Sequence, residues 1–485
     1  EWLWAVACFV KGDAERRTEE RVRAKQACFR HRLQEASVQA SYLASAAKML
    51  GDPGQLELLQ TELQRQRAAP TDSAVVVVDG INPLEQDDWR EWWREFRRGL
   101  GREKAKNFGR RMVDIATGDW ATPAATHPKI KGLAGVGGLP TGDVLVGFDK
   151  EAFRSYGFEQ SANAAMSEET AKRYTEALNR LIKEKARRLG DALCVYWFAK
   201  EIGEDEDPLS WLHEPSEQTS SAAEGEARRL LDALRTGGRP DLSGNIYYAL
   251  FVSGAAGRVM VREFMQGAFE DLVAAVNQWF FDLECCARDG KGMAKAPKFM
   301  AVAGSLVRDL GDMPQPWLQR LWRAAASGSA LPEFVIPQAV LRFKADVIKN
   351  NPANHARMGL IKAYHIRKGD EHMSAYLNPD HPHPAYHCGR LLALFAGLQR
   401  AALGDVGAGV VQRYYAAASQ TPGLVIGRLT ANAKNHLSKL DTGLAQWFEK
   451  EIAQVMGAIK NHIPRTLTLE EDRKSTRLNS SHVSQ

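Results

Sequence analysis

The chain has 485 residues, 44% of them hydrophobic and 25% charged, with a formal net charge of +5 at pH 7. This is enough apolar material for a sizeable core in about two to four domains, and it excludes wholesale disorder. The 6 cysteines form no CxxC pair, which argues against a zinc ribbon or disulfide scaffold and for a reducing, cytoplasmic setting, and no run of about 18 apolar residues offers a membrane span.

Glu1–Val10 is too short and starts too acidic for a signal peptide, and the chain does not open on Met, so a natural start is expected upstream. Residues 14–67 carry helical periodicity, as in Tyr42–Leu50 and Leu56–Leu63. Ala74–Val78 is a β-branched run ending at Asp79-Gly80, which predicts a buried strand and a turn. Asp87–Gly99 has acids in its first turn and arginines in its last, the charge order of a helix. Residues 117–149 are rich in Gly, Pro and Thr and predict loops with a short strand at Val144–Phe148. A helix is predicted over Ser167–Leu189, begun by Ser167 and closed by Arg187 and Arg188 before Gly190. Ala192–Ala199 reads as a buried strand, and the acidic, Ser-rich stretch 201–225 as an exposed linker. Ile246–Val252 and Arg258–Phe264 read as further strands, and from Phe269 the pattern is helical, with a break near Gly328–Pro337. The expected fold class is α+β. A mixed region over 1–335 precedes a C-terminal helical bundle over 338–471, and the polar tail 472–485 reads as non-native vector or adapter sequence.

Charge is concentrated in places, and location matters more than the net balance. Arg94, Arg97, Arg98, Arg102, Lys104, Lys106, Arg110 and Arg111 follow Trp89, Trp92, Trp93 and Phe96. Clustered cations gain from counterion release on phosphates, and aromatics stack on bases. The plainer reading makes the tryptophans core and the charges a solvated face. Lys129 and Lys131 flank a stretch holding Gly132, Gly135, Gly137 and Gly138. Glycines let a backbone come close to a partner, which suits a DNA-contacting loop, while composition alone favours a mobile hairpin loop. No GK[ST] follows, so it is not a P-loop, and no strand–GxGxxG–helix unit surrounds it. Gln160 and Asn163 carry amides suited to base edges, or equally to turn chemistry before a helix.

The bundle region has its own clusters. Arg342, Lys344, Lys349, Arg357, Lys362, Arg367 and Lys368 enclose a single acid, Asp346, and Arg413, Arg428, Lys434, Lys439, Lys450, Lys460 and Arg465 follow. A basic bundle suits tracking a nucleic-acid backbone, or is an ordinary solvated surface. His381, His383, His387 and Cys388 carry metal-ligating chemistry, and a metal-dependent hydrolase built on the three histidines is the enzyme alternative. Pro384, however, fits a first helical turn with His383 at the cap. No GxSxG, Cys/His nucleophile pair or acidic nuclease cluster is present.

Six segments together carry a resemblance. HPKIKGLAGVGG from His127, LVGFDKEAFRSYGFEQSANAAMSEETAKRYTEALNRL from Leu145, HPAYHCGRLLALFAGLQRAAL from His383, YYAAASQTPGLVIGRL from Tyr414, NHLSKL from Asn435 and IPRTLTLEE from Ile463 resemble the large subunit of the type I-C CRISPR Cascade complex in order and spacing. The resemblance covers residues 75–471, and the family's N-terminal portion is expected to be largely missing. It implies a non-catalytic protein without cofactor or metal, beside the subunit that holds the guide RNA 5′ handle. Its partners would be the CRISPR guide RNA, target double-stranded DNA and its displaced strand, the other Cascade subunits and the helicase–nuclease. It would recognise the protospacer-adjacent motif and help open the duplex, while guide pairing supplies sequence specificity.

On that basis Lys129, Lys131, Gly132, Gly135, Gly137, Gly138, Gln160 and Asn163 are the expected DNA-contacting residues. Arg97, Arg98, Arg102, Arg413, Arg428, Lys434 and Lys439 are the expected backbone contacts. The C-terminal helices resemble the small subunit, for which Met358 and Met373 are candidate internal starts. Where the family has Asn-Ala-Ala-x-Arg this chain has Gly254-Ala255-Ala256-Gly257-Arg258, so the role of that Asn does not carry over.

Overall fold

The charged, periodic N-terminal stretch forms three helices, α1 (Arg16–Ala36), α2 (Tyr42–Met49) and α3 (Pro53–Arg65). Asp52 caps α3 by accepting from the Gly54 and Gln55 N–H groups, with Pro53 at the first helical position. The computed structural model describes residues 16–67, 75–96, 111–153, 158, 160–213, 220–287, 290–348, 354–459 and 462–468. It divides the chain into two units, Glu1–His127 with Phe148–Ala171, and Pro128–Gly147 with Lys172–Gln485.

In the first unit, Leu33, Ala36, Leu43, Ala47 and Leu50 build a small core with Val78, against which Trp89 and Trp92 pack. Of the strand expected at Ala74–Val78, Ala74 lies outside the described residues and 75–78 show one bridge, Val78 with Ile81, around Asp79 and Gly80 at φ +50° and +78°. Among the described residues no second strand pairs with it, and Val75 and Val77 are exposed. Of the helix expected over Asp87–Gly99, residues 90–96 are helical, 87–89 form a turn before them, and 97–99 lie outside the described residues. The short strands β1 (Met112–Val113) and β2 (Trp120–Ala121) pair antiparallel.

Helix α4 (Glu168–Lys185) starts where Ser167 predicts, its hydroxyl accepting from the Thr170 N–H at 3.1 Å. It stops short of the expected Leu189. Arg187–Leu189 instead forms β3, which pairs with β4 (Ala192–Phe198) across a turn at Gly190, φ +62°. Cross-strand pairing overrides the helical charge pattern here.

Within the expected linker 201–225, the described residues 208–213 and 220–225 are helical, and 214–219 lie outside the described residues. Asp207 caps α5 (Pro208–His213) by accepting from Leu209 and Ser210 N–H, and Leu209, Trp211 and Leu212 are buried. Helix α6 (Ser220–Arg235) follows. The strands β5 (Ile246–Ala255) and β6 (Arg258–Ala268) complete an antiparallel sheet in the order β3-β4-β5-β6, with a bulge between Phe251 and Val252.

Both faces of that sheet are covered at β4 and the adjoining part of β5, which explains why Ala192–Phe198 reads as a continuous apolar run. Cys194, Tyr196, Ala249 and Phe251 face the large core with α7 (Phe269–Leu283). Val195, Val252 and Val259 face α4 through Leu178 and Ile182. The large core continues through α8 (Phe299–Gly304), α9 (Gln315–Ser327), α10 (Val335–Ile348), α11 (His355–Arg367) and α12 (Pro384–Leu403). Gly328, φ +68°, ends α9, and Val335 and Ile336 beyond it are buried in the same core. Helix α12 packs against α13 (Val410–Ala418), α14 (Pro422–Leu437) and α15 (Thr442–Ala458). The molecule is thus α+β, with short strands and helices first and a largely helical C-terminal part. Among the described residues no helix is long and apolar enough to cross a membrane.

Candidate nucleic-acid interface

The segment 128–147 is a closed, packed loop in the second unit. Ile130 and Asp143 exchange both backbone hydrogen bonds at 2.8 Å, in place of a strand at Val144–Phe148. Ile130, Leu133 and Val136 are buried against α4 and the sheet. The Asp143 carboxylate is buried and accepts from the Leu139 N–H at 3.2 and 3.1 Å. Val144 bridges to the start of β6, donating to Gly257 O and accepting from Val259 N–H.

Gly132, Gly137 and Gly138 serve this packing. A Cβ on Gly132 would lie 2.7 Å from Ile182 Cγ2, and one on Gly137, φ +86°, would lie 2.7 Å from Gly254 O. A Cβ on Gly138 would collide with Asp143 and Leu133, and one on Gly254 with the Gly138 backbone. The close backbone approach that the sequence predicts is therefore made to this chain's own β5. A side chain at position 254 has no room while the loop is docked.

The loop carries Lys129 and Lys131 on its exposed surface. Their backbones are held by one side chain of α4. Asn179 Oδ1 accepts from Lys131 N–H at 2.7 Å, and Asn179 Nδ2 donates to Lys129 O at 3.2 Å. Gly135 meets only Arg188, whose Nη1 would be 3.9 Å from a Cβ there, so a third exposed cation lies beside the loop. Sequence reading assigned Arg188 to a helix end and gave Asn179 no role. Neither carries a local signal, because both gain their places through tertiary pairing.

Gln160 and Asn163 belong to the first unit, in a 3₁₀ turn over Gln160–Ala164. Asn163 Nδ2 donates to Gln160 O at 3.0 Å, and Gln160 itself sits at φ +45°, a conformation uncommon for a residue with a Cβ. The segment behind them is pinned by Asp114, which accepts from Ala116, Thr117 and Ser167 N–H and from the Thr170 hydroxyl. Burial raises the Asp114 carboxyl, and these bonds outweigh it, bringing it down to about 2.

Of the cations expected on a nucleic-acid backbone, Arg97, Arg98 and Arg102 lie outside the described residues. Arg413, Arg428, Lys434 and Lys439 are exposed, on α13, on α14 and just beyond it, and no acid occurs between Asp405 and Asp441. The earlier bundle cations divide differently. Arg357 is buried and donates to Asp346 at 2.7 Å, Lys362 is buried and donates to Phe281 O at 3.0 Å, and Arg367 donates to buried Asp282 at 2.6 Å. These three are interior cations, so the basic surface expected over 342–368 is not one continuous face.

The aromatic residues before the first cluster are likewise spent on each other. Trp92 and Phe96 stack at 5.4 Å, and Arg32 covers Phe96 at 4.4 Å.

The model of the family described as CRISPR-associated protein (Cas_Csd1) matches residues 1–474. The chain belongs to the Cas_Csd1 family. It is a large subunit of type I-C Cascade, and the match extends to residue 1, beyond the span of the sequence motifs. No curated protein matches the chain. Membership in a CRISPR-associated family places it among other Cas proteins and nucleic acids.

In this Cas_Csd1 chain the histidines near α12 are engaged in structure. His383 is the N-cap, its Nδ1 accepting from Ala385 N–H at 3.3 Å. His387 Nε2 bonds His381 O at 2.7 Å, and its Nδ1 lies 3.2 Å from Arg390 Nη1. His381 stacks on Tyr386 at 4.1 Å. Burial holds the His387 imidazole below its ordinary value. Among the described residues no three His, Cys, Asp or Glu are grouped to hold a metal ion.

Proposed function

We propose that this Cas_Csd1 chain is the non-catalytic subunit that recognises the protospacer-adjacent motif in target DNA. In this reading it also helps open the duplex, supports the displaced strand and provides the docking surface for the helicase–nuclease. Guide RNA and the other Cascade subunits are its standing partners. The observation that carries the reading is the 128–147 loop: Lys129 and Lys131 stand on a backbone fixed to α4 and to the sheet. A lysine ammonium suits phosphate oxygens and the O6 and N7 acceptors of guanine, and a fixed loop spares the ordering cost on binding. Gln160 and Asn163 supply amide chemistry for base edges, and Arg413, Arg428, Lys434 and Lys439 supply a stretch without acids for the displaced strand.

The test uses the assembled complex with guide RNA and duplexes carrying a matched protospacer beside randomised flanks. The parent is expected to enrich a short flanking motif. The double variant Lys129→Ala/Lys131→Ala is expected to lose that enrichment. The slope of log affinity against log salt should also fall by about 1.8, two phosphate contacts' worth. A double variant that enriches and binds like the parent at every salt concentration removes the loop from the reading. Neutralising Arg413, Arg428, Lys434 and Lys439 without any change in DNA affinity would favour a scaffold role for the helical part.

A further inference from the structure

Lysine ammonium groups swing on four-carbon stems, so their use in recognition depends on where the backbone holds the two stems. Lys129 and Lys131 are two residues apart on one strand-like segment, and a single Asn179 amide spans them. It accepts from the Lys131 N–H at 2.7 Å and donates to the Lys129 carbonyl at 3.2 Å. Asn179 lies within α4, whose Leu178 and Ile182 are buried against the sheet and the loop. A helix fixed on both sides of Asn179 therefore sets the position of both lysine stems. The Gly137–Gly254 contact fixes the other end of the loop on β5.

We infer that Asn179 is a positioning residue for motif recognition, acting through the backbones of Lys129 and Lys131 without touching DNA. The inference rests on the reading of those lysines as DNA contacts. It separates two properties that a phosphate contact would couple. Removing the amide leaves both ammonium charges in place, so counterion release and the salt slope persist. What is lost is the fixed register of the charges relative to the base edges, which carries discrimination.

Asn179→Ala in the assembled, guide-loaded complex is the direct test. Alanine is the better helix former, so α4 is not weakened by the change itself. Discrimination between the enriched motif and a scrambled flank is expected to fall about tenfold, at the lower end of what one well-placed base contact contributes. The salt slope is expected to match the parent, and the Lys131 amide to exchange with solvent faster in hydrogen–deuterium exchange. Unchanged discrimination, with or without faster exchange, overturns the inference. A salt slope that falls as in Lys129→Ala/Lys131→Ala also overturns it, since Asn179 would then be acting through lost charge contacts. If the lysine double variant itself behaves like the parent, the underlying reading fails and takes the inference with it, and the lysine arm alone identifies that outcome.

Discussion

At the scale of single residues, two positions of the β5–β6 hairpin pull stability in opposite directions. Ala256 at φ +48° and Gly257 at φ +88° form a two-residue turn in which both central residues are left-handed. Such turns match the twist of the flanking strands and favour Asn-Gly, whereas alanine in that region costs about 1–2 kcal/mol. Ala256→Asn is therefore expected to raise unfolding stability by about 1 kcal/mol, read from the midpoint of urea denaturation. Two residues earlier, Gly254 faces the Gly138 backbone with no room for a Cβ. Gly254→Ala is expected to cost about 2–3 kcal/mol, as overpacking does, and to make residues 128–147 a new site of limited proteolysis. A neutral Gly254→Ala would mean that the loop is not held against β5. The glycine enrichment of this segment was legible in the sequence, but its reason was not, because Gly254 is more than a hundred residues distant along the chain.

At the scale of elements, the helices of the C-terminal part carry two kinds of cation that the sequence does not distinguish. Arg367, at the end of α11, donates to Asp282 on α7 at 2.6 Å and to the Ala324 and Ser329 carbonyls at 2.7 Å, and its guanidinium lies 5.7 Å from the Trp279 ring centroid. Asp282 is fully buried. Removing the arginine leaves that buried carboxylate without its cation, though Gln278 still donates to it, so Arg367→Ala is expected to cost about 3–5 kcal/mol. Arg428→Ala and Lys434→Ala on the outer side of α14 should leave stability within about 0.5 kcal/mol, because neither side chain is buried. Denaturation midpoints of the three variants check this, and equal losses would contradict the division. The elements themselves were mostly legible where one pattern dominates, as in α4, β4 and the capped start of α12 at His383 and Pro384. The misses have a common physics. In α5 the apolar Leu209, Trp211 and Leu212 were masked by flanking acids, one of which, Asp207, is the cap. In β3 the two arginines suit a helix end, and only pairing with β4 makes them a strand.

At the scale of the molecule, His213 in the large core of the second unit is a titratable group whose protonation opposes folding. His213, at the end of α5, accepts the Trp322 indole N–H at its Nε2, 3.2 Å away, and packs edge-on to Phe299. Its imidazole must be neutral to accept. Burial, helped by the positive charge of Arg187, lowers its pKa from 6.5 to about 4. In the unfolded chain the group takes up a proton near its ordinary value, so between about pH 6.5 and 4 the unfolded state binds more protons than the folded one. The contribution is therefore fully present above pH 6.5 and is lost progressively as the pH falls through that window, on the order of 3 kcal/mol in all. Urea midpoints measured at pH 7.5 and pH 5.0 should drop for the parent. The drop should be smaller for His213→Asn, which cannot charge but loses some stability at both pH values through poorer packing. Equal pH dependence in parent and variant would assign the acid sensitivity to other groups. The same core reaches from Leu189 in β3 to Ile459 beyond α15. A loss at His213 is thus expected to lower the stability of the whole second unit, α14 included, below pH 6.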